Sequence, residues 1–192
     1  MARKFPNDTR FMNHTEALIT LLARGEVCVI PTDTVYGVVG KLSSPLAVAK
    51  IYQLKQRDTA KPVGTILAAS IAQVAALTTK NVLTLAAEFW PGPTSVIVPA
   101  DDTYDYAHKG EMSLAVRIPA DDALRALLVQ TGPLASSSAN LQSQEPATTV
   151  AEARAYFHDA VPLYIDGGNL SDRTPSRIVR IEEDGRITVV RP

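Results

Sequence analysis

The sequence predicts a single α/β domain built on a mixed sheet, and three observations carry that prediction. Short apolar, β-branched runs recur along the chain: Val27 to Ile30, Val63 to Ala68, Thr94 to Val98 and Ser113 to Arg117. Between them lie segments whose apolar residues return every three to four positions, the spacing of helices packed on a sheet. Near the end, Asp184-Gly185 separates two further strand-like runs, which calls for an antiparallel hairpin.

Taken in order, Asn13 with Glu16 forms a capping-box pattern, and Leu18, Leu21 and Leu22 give the apolar stripe of a first helix that Gly25 stops. Val27 to Ile30 suits a strand buried on both faces, and Pro31 ends it because proline cannot donate to a ladder. The turn that follows carries Thr32, Asp33, Thr34 and Tyr36. It serves equally as a solvated turn or as the mouth of a site. Ser44 and Pro45 open a second helix along Ala47, Val48, Ile51 and Leu54, which runs to Lys55 and leads into the strand from Val63. Strand, helix and strand at this spacing predict a parallel, right-handed βαβ unit. Ser70 and Thr79 are caps for two further helices, the second reaching Phe89, before Trp90-Pro91-Gly92-Pro93 breaks the pattern. Residues 100 to 111 are polar and read as a loop. Asp121 and Asp122 suit the first turn of a helix to about Gln130, closed by Gly132. Pro133 to Ala135 is a short strand running into Ser136-Ser137-Ser138-Ala139-Asn140. Thr149 with Glu152 is a second capping box, for a helix to about Phe157. Strands at Val161 to Ile165, Arg177 to Ile181 and Arg186 to Val190 complete the chain.

At 192 residues the chain suits one domain, 1 to 192, with no repeat and no linker. With 46% apolar and 20% charged residues it has the composition of a globular protein, and no run approaches the roughly 18 to 20 apolar residues of a membrane span. The polar start, Met1 to Arg10, lacks the apolar stretch of a signal peptide, so a cytoplasmic location is expected. Cys28 is the sole cysteine, which excludes an internal disulfide and makes it a small core residue of the first strand. A net charge of −1 provides no global field for a polyanion. His14, His108 and His158 show no metal-ligand spacing, and no protein-bound metal is expected.

Four polar clusters fall at element ends: Thr32 to Tyr36, Lys55 to Lys61, Ser113 to Arg117 and Ser136 to Asn140. Open α/β sheets bind ligands at strand ends, where distant segments converge. Lys55, Arg57, Lys61 and Arg117 would supply positive charge there, and arginine forks match phosphate or carboxylate oxygens. The same lysines and arginine also suit a solvated helix terminus. There is no GxxxxGK[ST] loop, no GxGxxG after the first strand and no readable Ser/His/Asp triad, so side chains must hold any nucleotide. Pattern alone stops at an anion-binding α/β domain.

Beyond pattern, Pro31-Thr32-Asp33-Thr34-Val35-Tyr36-Gly37, Lys55-Gln56-Arg57 with Lys61-Pro62, Trp90-Pro91-Gly92-Pro93-Thr94, Ala115-Val116-Arg117-Ile118-Pro119 and Ser138-Ala139-Asn140, in that order, resemble the YrdC-type threonylcarbamoyl-AMP synthases. The resemblance covers about 17 to 192 and is to the short, single-domain form. It implies a twisted mixed sheet around a concave, basic cavity. It implies an enzyme that makes threonylcarbamoyl-AMP and pyrophosphate from L-threonine, bicarbonate and ATP, with Mg2+ arriving on the ATP. That product feeds tRNA modification through downstream threonylcarbamoyl-transfer proteins. By the same resemblance, Thr34, Arg117, Ser136 and Ser176 contact threonine. Arg57, Lys61, Ser113, Ser138, Asn140 and Arg191 contact ATP, and Lys55 and Arg57 are the catalytic cations.

The sequence departs from the family after Asn140, where Leu141-Gln142-Ser143-Gln144 replaces a serine-glycine pair. It departs again at Ser176-Arg177, where Ser-Thr is usual. Two other readings stay open at this stage. An RNA-binding module of the same fold would use the same cations on phosphates, and the synthase itself leaves room for weak tRNA binding. A carbamoyl-transfer maturation enzyme would carry the domain within a longer, cysteine-rich chain, against which the lone Cys28 argues.

Overall fold

A computed structural model describes residues 10–78, 82–182 and 184–192; the expected cap Thr79 lies outside the described residues. Eight strands form one mixed sheet: β1 (Val27–Ile30), β2 (Gly37–Lys41), β3 (Thr65–Leu67), β4 (Thr94–Pro99), β5 (Ser113–Arg117), β6 (Leu134–Ser138), β7 (Arg177–Ile181) and β8 (Ile187–Arg191). Their spatial order is β1-β2-β6-β3-β5-β4-β7-β8. The pairs β3/β5 and β4/β7 are parallel and the rest antiparallel.

The helices are α1 (Thr15–Ala23), α2 (Pro45–Lys55), α3 (Ile71–Ala75), α4 (Leu83–Ala86), α5 (Asp105–His108), α6 (Asp122–Thr131) and α7 (Val150–Phe157). Several start where the sequence signals them. Ser44, Ser70 and Asp121 each accept a hydrogen bond from a first-turn amide, and Thr149 with Glu152 closes both halves of its capping box. The Asn13 box does not form. The cap of α1 is His14, without a side-chain bond, and the Thr15 hydroxyl instead donates back to the Phe11 carbonyl at 2.7 Å.

Four other expectations are corrected. Gly37–Lys41, passed over in the sequence, is a strand that folds back on β1 as an antiparallel neighbour. Consequently β1, α2 and β3 are not a parallel βαβ unit: α2 links β2 to β3, and β6 lies between them, antiparallel to both. Residues 161–165 contribute one parallel bridge, Val29 with Tyr164, rather than a strand. The Val29 amide donates to the Leu163 carbonyl and the Ile165 amide to the Val29 carbonyl, both at 2.9 Å, so this segment still covers the outer side of β1. The polar stretch from 100 to 111 holds a 3-10 turn at Asp102–Tyr104 and the one-turn α5.

The two sheet faces bury separate cores, as period-two alternation requires. Val27, Val29, Val38 and Ile66 face α2 with Val48 and Ile51. Cys28, Ile30, Val39, Leu67 and Leu134 face α1 and α6, with Leu18, Leu22, Leu124 and Leu128. Along β2, β3 and β6 the latter face continues into Gly37, Thr65 and Ser136, which no helix covers. The site lies on this uncovered half of the face.

Candidate functional site

A cavity of about 360 Å³ occupies that half-face. Its lining includes Thr32 and Thr34 from the turn after β1, Arg57 and Gly64 from the α2–β3 connection, Thr65, Ala115 and Arg117 from the central strands, and Ser136 to Ser138 from β6. The segment before β7 adds Pro175 and Ser176, and Ile97, Ile178, Val190 and Arg191 complete the outer wall. Three arginines and no carboxylate are in the lining. Gly64 explains how the backbone closes so tightly: at φ +142° it crosses the Ser136 carbonyl, where any Cβ would overlap the oxygen.

The inner end is preassembled. Arg117 is only 3% exposed; its Nη1 donates to Thr34 Oγ1 at 2.9 Å and its Nη2 lies 3.4 Å from Asp33 Oδ1. Burial lowers the Arg117 pKa, Asp33 opposes that shift, and the charge of Arg191 adds to it. The turn holds its own shape: Thr32 Oγ1 donates to the Val35 carbonyl at 2.7 Å and accepts from the Thr34 amide at 3.1 Å. Arg173 donates to the Thr32 carbonyl at 3.0 Å, and the Ala120 amide donates to Asp33 Oδ2 at 2.9 Å. Arg117 Nε and Asp33 Oδ1 have no hydrogen-bond partner among the described residues, although both are buried. An unmet buried donor costs about 1–3 kcal/mol, so an anion that reached Nε would recover that deficit.

Lys55 does not line the cavity. It is 2% exposed, and its Nζ donates to the Ser138 carbonyl, to the Asn140 carbonyl at 2.7 Å and to Asn140 Oδ1 at 3.1 Å. Burial, followed by the charge of Arg57, pulls Lys55 down to about 7. Its three oxygen acceptors favour the ammonium against that pull. Asn140 uses its amide on the Leu141 and Gln144 carbonyls at 2.8 and 2.7 Å. Gln142, in the segment after Asn140, completes this joint: its amide donates to the Lys55 carbonyl, and its Oε1 accepts from the Asp58 amide at 2.7 Å.

Of the expected site residues, Thr34, Arg57, Arg117, Ser136, Ser138, Ser176 and Arg191 converge on the cavity. Arg57 anchors its Nε on the Pro62 carbonyl at 3.0 Å. Lys61 is exposed and outside the lining; Ser113 is half-buried, next before Ala115 on the same face of β5. Sequence reasoning missed a hydroxyl row. Thr65 Oγ1 lies 3.1 Å from Ser95 Oγ, which lies 3.0 Å from Ser176 Oγ, and Arg191 Nη2 donates to Ser176 Oγ at 3.1 Å. The alternation of Ser95 with Ile97 along β4 was a readable signal, but only with the neighbouring strands known. Tyr36, read as a turn hydroxyl, is fully buried and accepts from the Gly167 amide while donating to the Gly168 carbonyl, both at 2.8 Å. Among the described residues no helix is long and apolar enough to cross a membrane.

Comparison with known proteins follows the same lines. The Sua5_yciO_yrdC family model, described as telomere recombination, matches residues 20–192. A threonylcarbamoyl-AMP synthase of Marinobacter nauticus is 34% identical over 89% of this chain and 92% of its own. One of Mus musculus is 34% identical over 93% of this chain and 67% of its own. The structure of P. abyssi Sua5 complexed with L-threonine superposes with a TM-score of 0.85 at 26% identity, over 93% of this chain. The present chain spans about half, 53%, of that Sua5 chain.

Proposed function

The chain belongs to the Sua5/YciO/YrdC family, and from that membership we propose that it is a threonylcarbamoyl-AMP synthase, joining L-threonine, bicarbonate and ATP into threonylcarbamoyl-AMP with release of pyrophosphate. The observation that carries the reading is the meeting, in one cavity, of the hydroxyls of Thr34, Ser136 and Ser176 with the three guanidinium groups of Arg57, Arg117 and Arg191. The names of the relatives do not favour the RNA-binding alternative.

In this reading Thr34, Arg117, Ser136 and Ser176 hold threonine, the unmet Arg117 Nε taking part of its carboxylate. Arg57, Ser138 and Arg191 hold ATP, and Lys61 and Ser113 extend that side toward the mouth. The threonine amine captures bicarbonate as a carbamate with loss of water. A carbamate oxygen then forms a bond to the α-phosphorus while the bond to the β-phosphate oxygen breaks. Arginine forks offset the charge that grows on the phosphoryl oxygens, and no covalent nucleophile is required. Mg2+ enters as part of the ATP substrate. Lys55 and Asn140, expected to touch substrate, act through the Ser138 turn that they clamp. The reaction belongs to the cytoplasm, upstream of the proteins that transfer the threonylcarbamoyl group to tRNA.

Incubation of the purified chain with threonine, bicarbonate and MgATP, followed by mass spectrometry, tests this. The expected product is an adenylate that incorporates labelled threonine. Absence of that species, with folded protein and all substrates present, would refute the assignment.

A further inference from the structure

The hairpin of β7 and β8 contains an irregularity with a functional consequence. Ile181 pairs with Ile187, Arg180 with Thr188 and Val179 with Val189; the register then shifts, and Ile178 pairs with Arg191. Val190 is therefore an extra residue, a one-residue bulge. Side chains alternate across a strand, so a bulge moves every later residue to the opposite face. The faces are fixed by neighbours: Val179 is fully buried in the core, whereas Ile178 lines the cavity. In unbroken register Arg191 would stand opposite Arg177, away from the cavity and against a like charge. With the bulge it stands opposite Ile178 and points at Ser176. There Nε and Nη2 donate to the Ser176 carbonyl at 2.9 and 2.5 Å, and Nη2 reaches the Ser176 hydroxyl at 3.1 Å.

Resting on the synthase reading above, we propose that the Val190 bulge is the register device that turns Arg191 onto the cavity face, so that the reaction requires the spacing of this arginine as well as its identity. Two features agree with a ligand-directed role. Arg191 is the last residue of an edge strand, and its Nη1 makes no hydrogen bond among the described residues. Its charge also depresses Arg117 across the cavity, a repulsion that an anion bound between the two would relieve.

The spacing claim separates three variants. Arg191→Ala removes the guanidinium. Deletion of Val190 removes the bulge but leaves the arginine opposite Ile178. Insertion of one alanine after Val190 keeps the arginine and displaces it from that partner. The expected result is a KM for ATP raised about tenfold or more in Arg191→Ala and in the insertion, with the deletion within about threefold of a Val190→Ala control, which trims the same wall residue but keeps the bulge. An independent readout is the Arg191 Nε–H resonance, held by the Ser176 carbonyl. It should stay slow to exchange in the unaltered and deleted chains and become fast in the insertion. A deletion as damaging as Arg191→Ala, or an insertion without effect on either readout, would overturn the proposal. If the resonances behave as expected while no chain turns over, the bulge assignment stands and the synthase reading fails.

Discussion

The inner end of the cavity and its outer edge solve the same problem, holding a guanidinium on the cavity wall, by opposite means. Arg117 sits on a central strand, almost wholly buried, with Thr34 and Asp33 on its fork and a turn behind them braced by Arg173 and the Ala120 amide. Arg191 sits at the end of an exposed edge strand and is steadied by a single residue, Ser176. The difference shows where preorganisation was built in. The inner end is fixed before any ligand arrives, at the cost of a buried charge. The edge keeps its arginine exposed and depends on backbone register and the Ser176 contacts that the register allows. An inner-end substitution should therefore damage the fold and the site together, whereas an edge substitution should touch function with little effect on the fold.

The largest effect is expected for Arg117→Ala, because it leaves Asp33 without its charge partner, with only the Ala120 amide on Oδ2. Urea unfolding should show a loss of about 4 kcal/mol, as when one partner of a buried pair is removed. At temperatures where the variant stays folded, its KM for threonine should rise far more than its KM for ATP. A larger change in the ATP value would reverse the two subsites. Next comes Lys55→Met, which strands two carbonyls and Asn140 Oδ1 and should cost about 3 kcal/mol in the same unfolding assay. A variant as stable as the unaltered chain would show that the Ser138 turn holds itself.

Smaller, and confined to function, is the effect of Arg57→Lys. A point charge cannot copy a fork anchored through Nε on Pro62, so kcat/KM should fall about tenfold, nearly as far as in Arg57→Ala, with the melting temperature unmoved. Full activity in the lysine form would remove Arg57 from direct phosphate binding. The smallest effect marks the edge itself. Arg186 and Asp184, 3.6 Å apart and both largely exposed at the β7–β8 turn, form a solvent-screened pair. Arg186→Ala should change stability by less than about 0.5 kcal/mol.

This contrast also explains how much could be read in advance. Local chemistry was legible: Val27–Ile30 and Ser113–Arg117 form as read, and the Thr149 and Ser44 caps make their bonds. Long-range pairing was not. Gly37–Lys41 lacks alternation because it is buried on both faces, and Gly40 is there to let Ala47 of α2 approach, a reason visible only once α2 is in place. Residues 161–165 look like a strand by composition, yet Pro162 has no amide to give and a single bridge results. In the site, the motifs brought Thr34, Arg117 and Ser138 to notice. The Thr65–Ser95–Ser176 row is assembled from separate segments, and although Ser176 and the β4 pattern each left a mark, no one segment shows that the three hydroxyls meet.

The central claim is that one cavity joins threonine to ATP without help from RNA. The most direct measurement is pyrophosphate release by the purified chain, with threonine, bicarbonate, ATP and tRNA each omitted in turn. The account predicts turnover that stops when any of the first three is withheld and changes little with tRNA. Turnover strictly dependent on tRNA, or tight RNA binding that collapses with salt and is accompanied by no turnover, would contradict it.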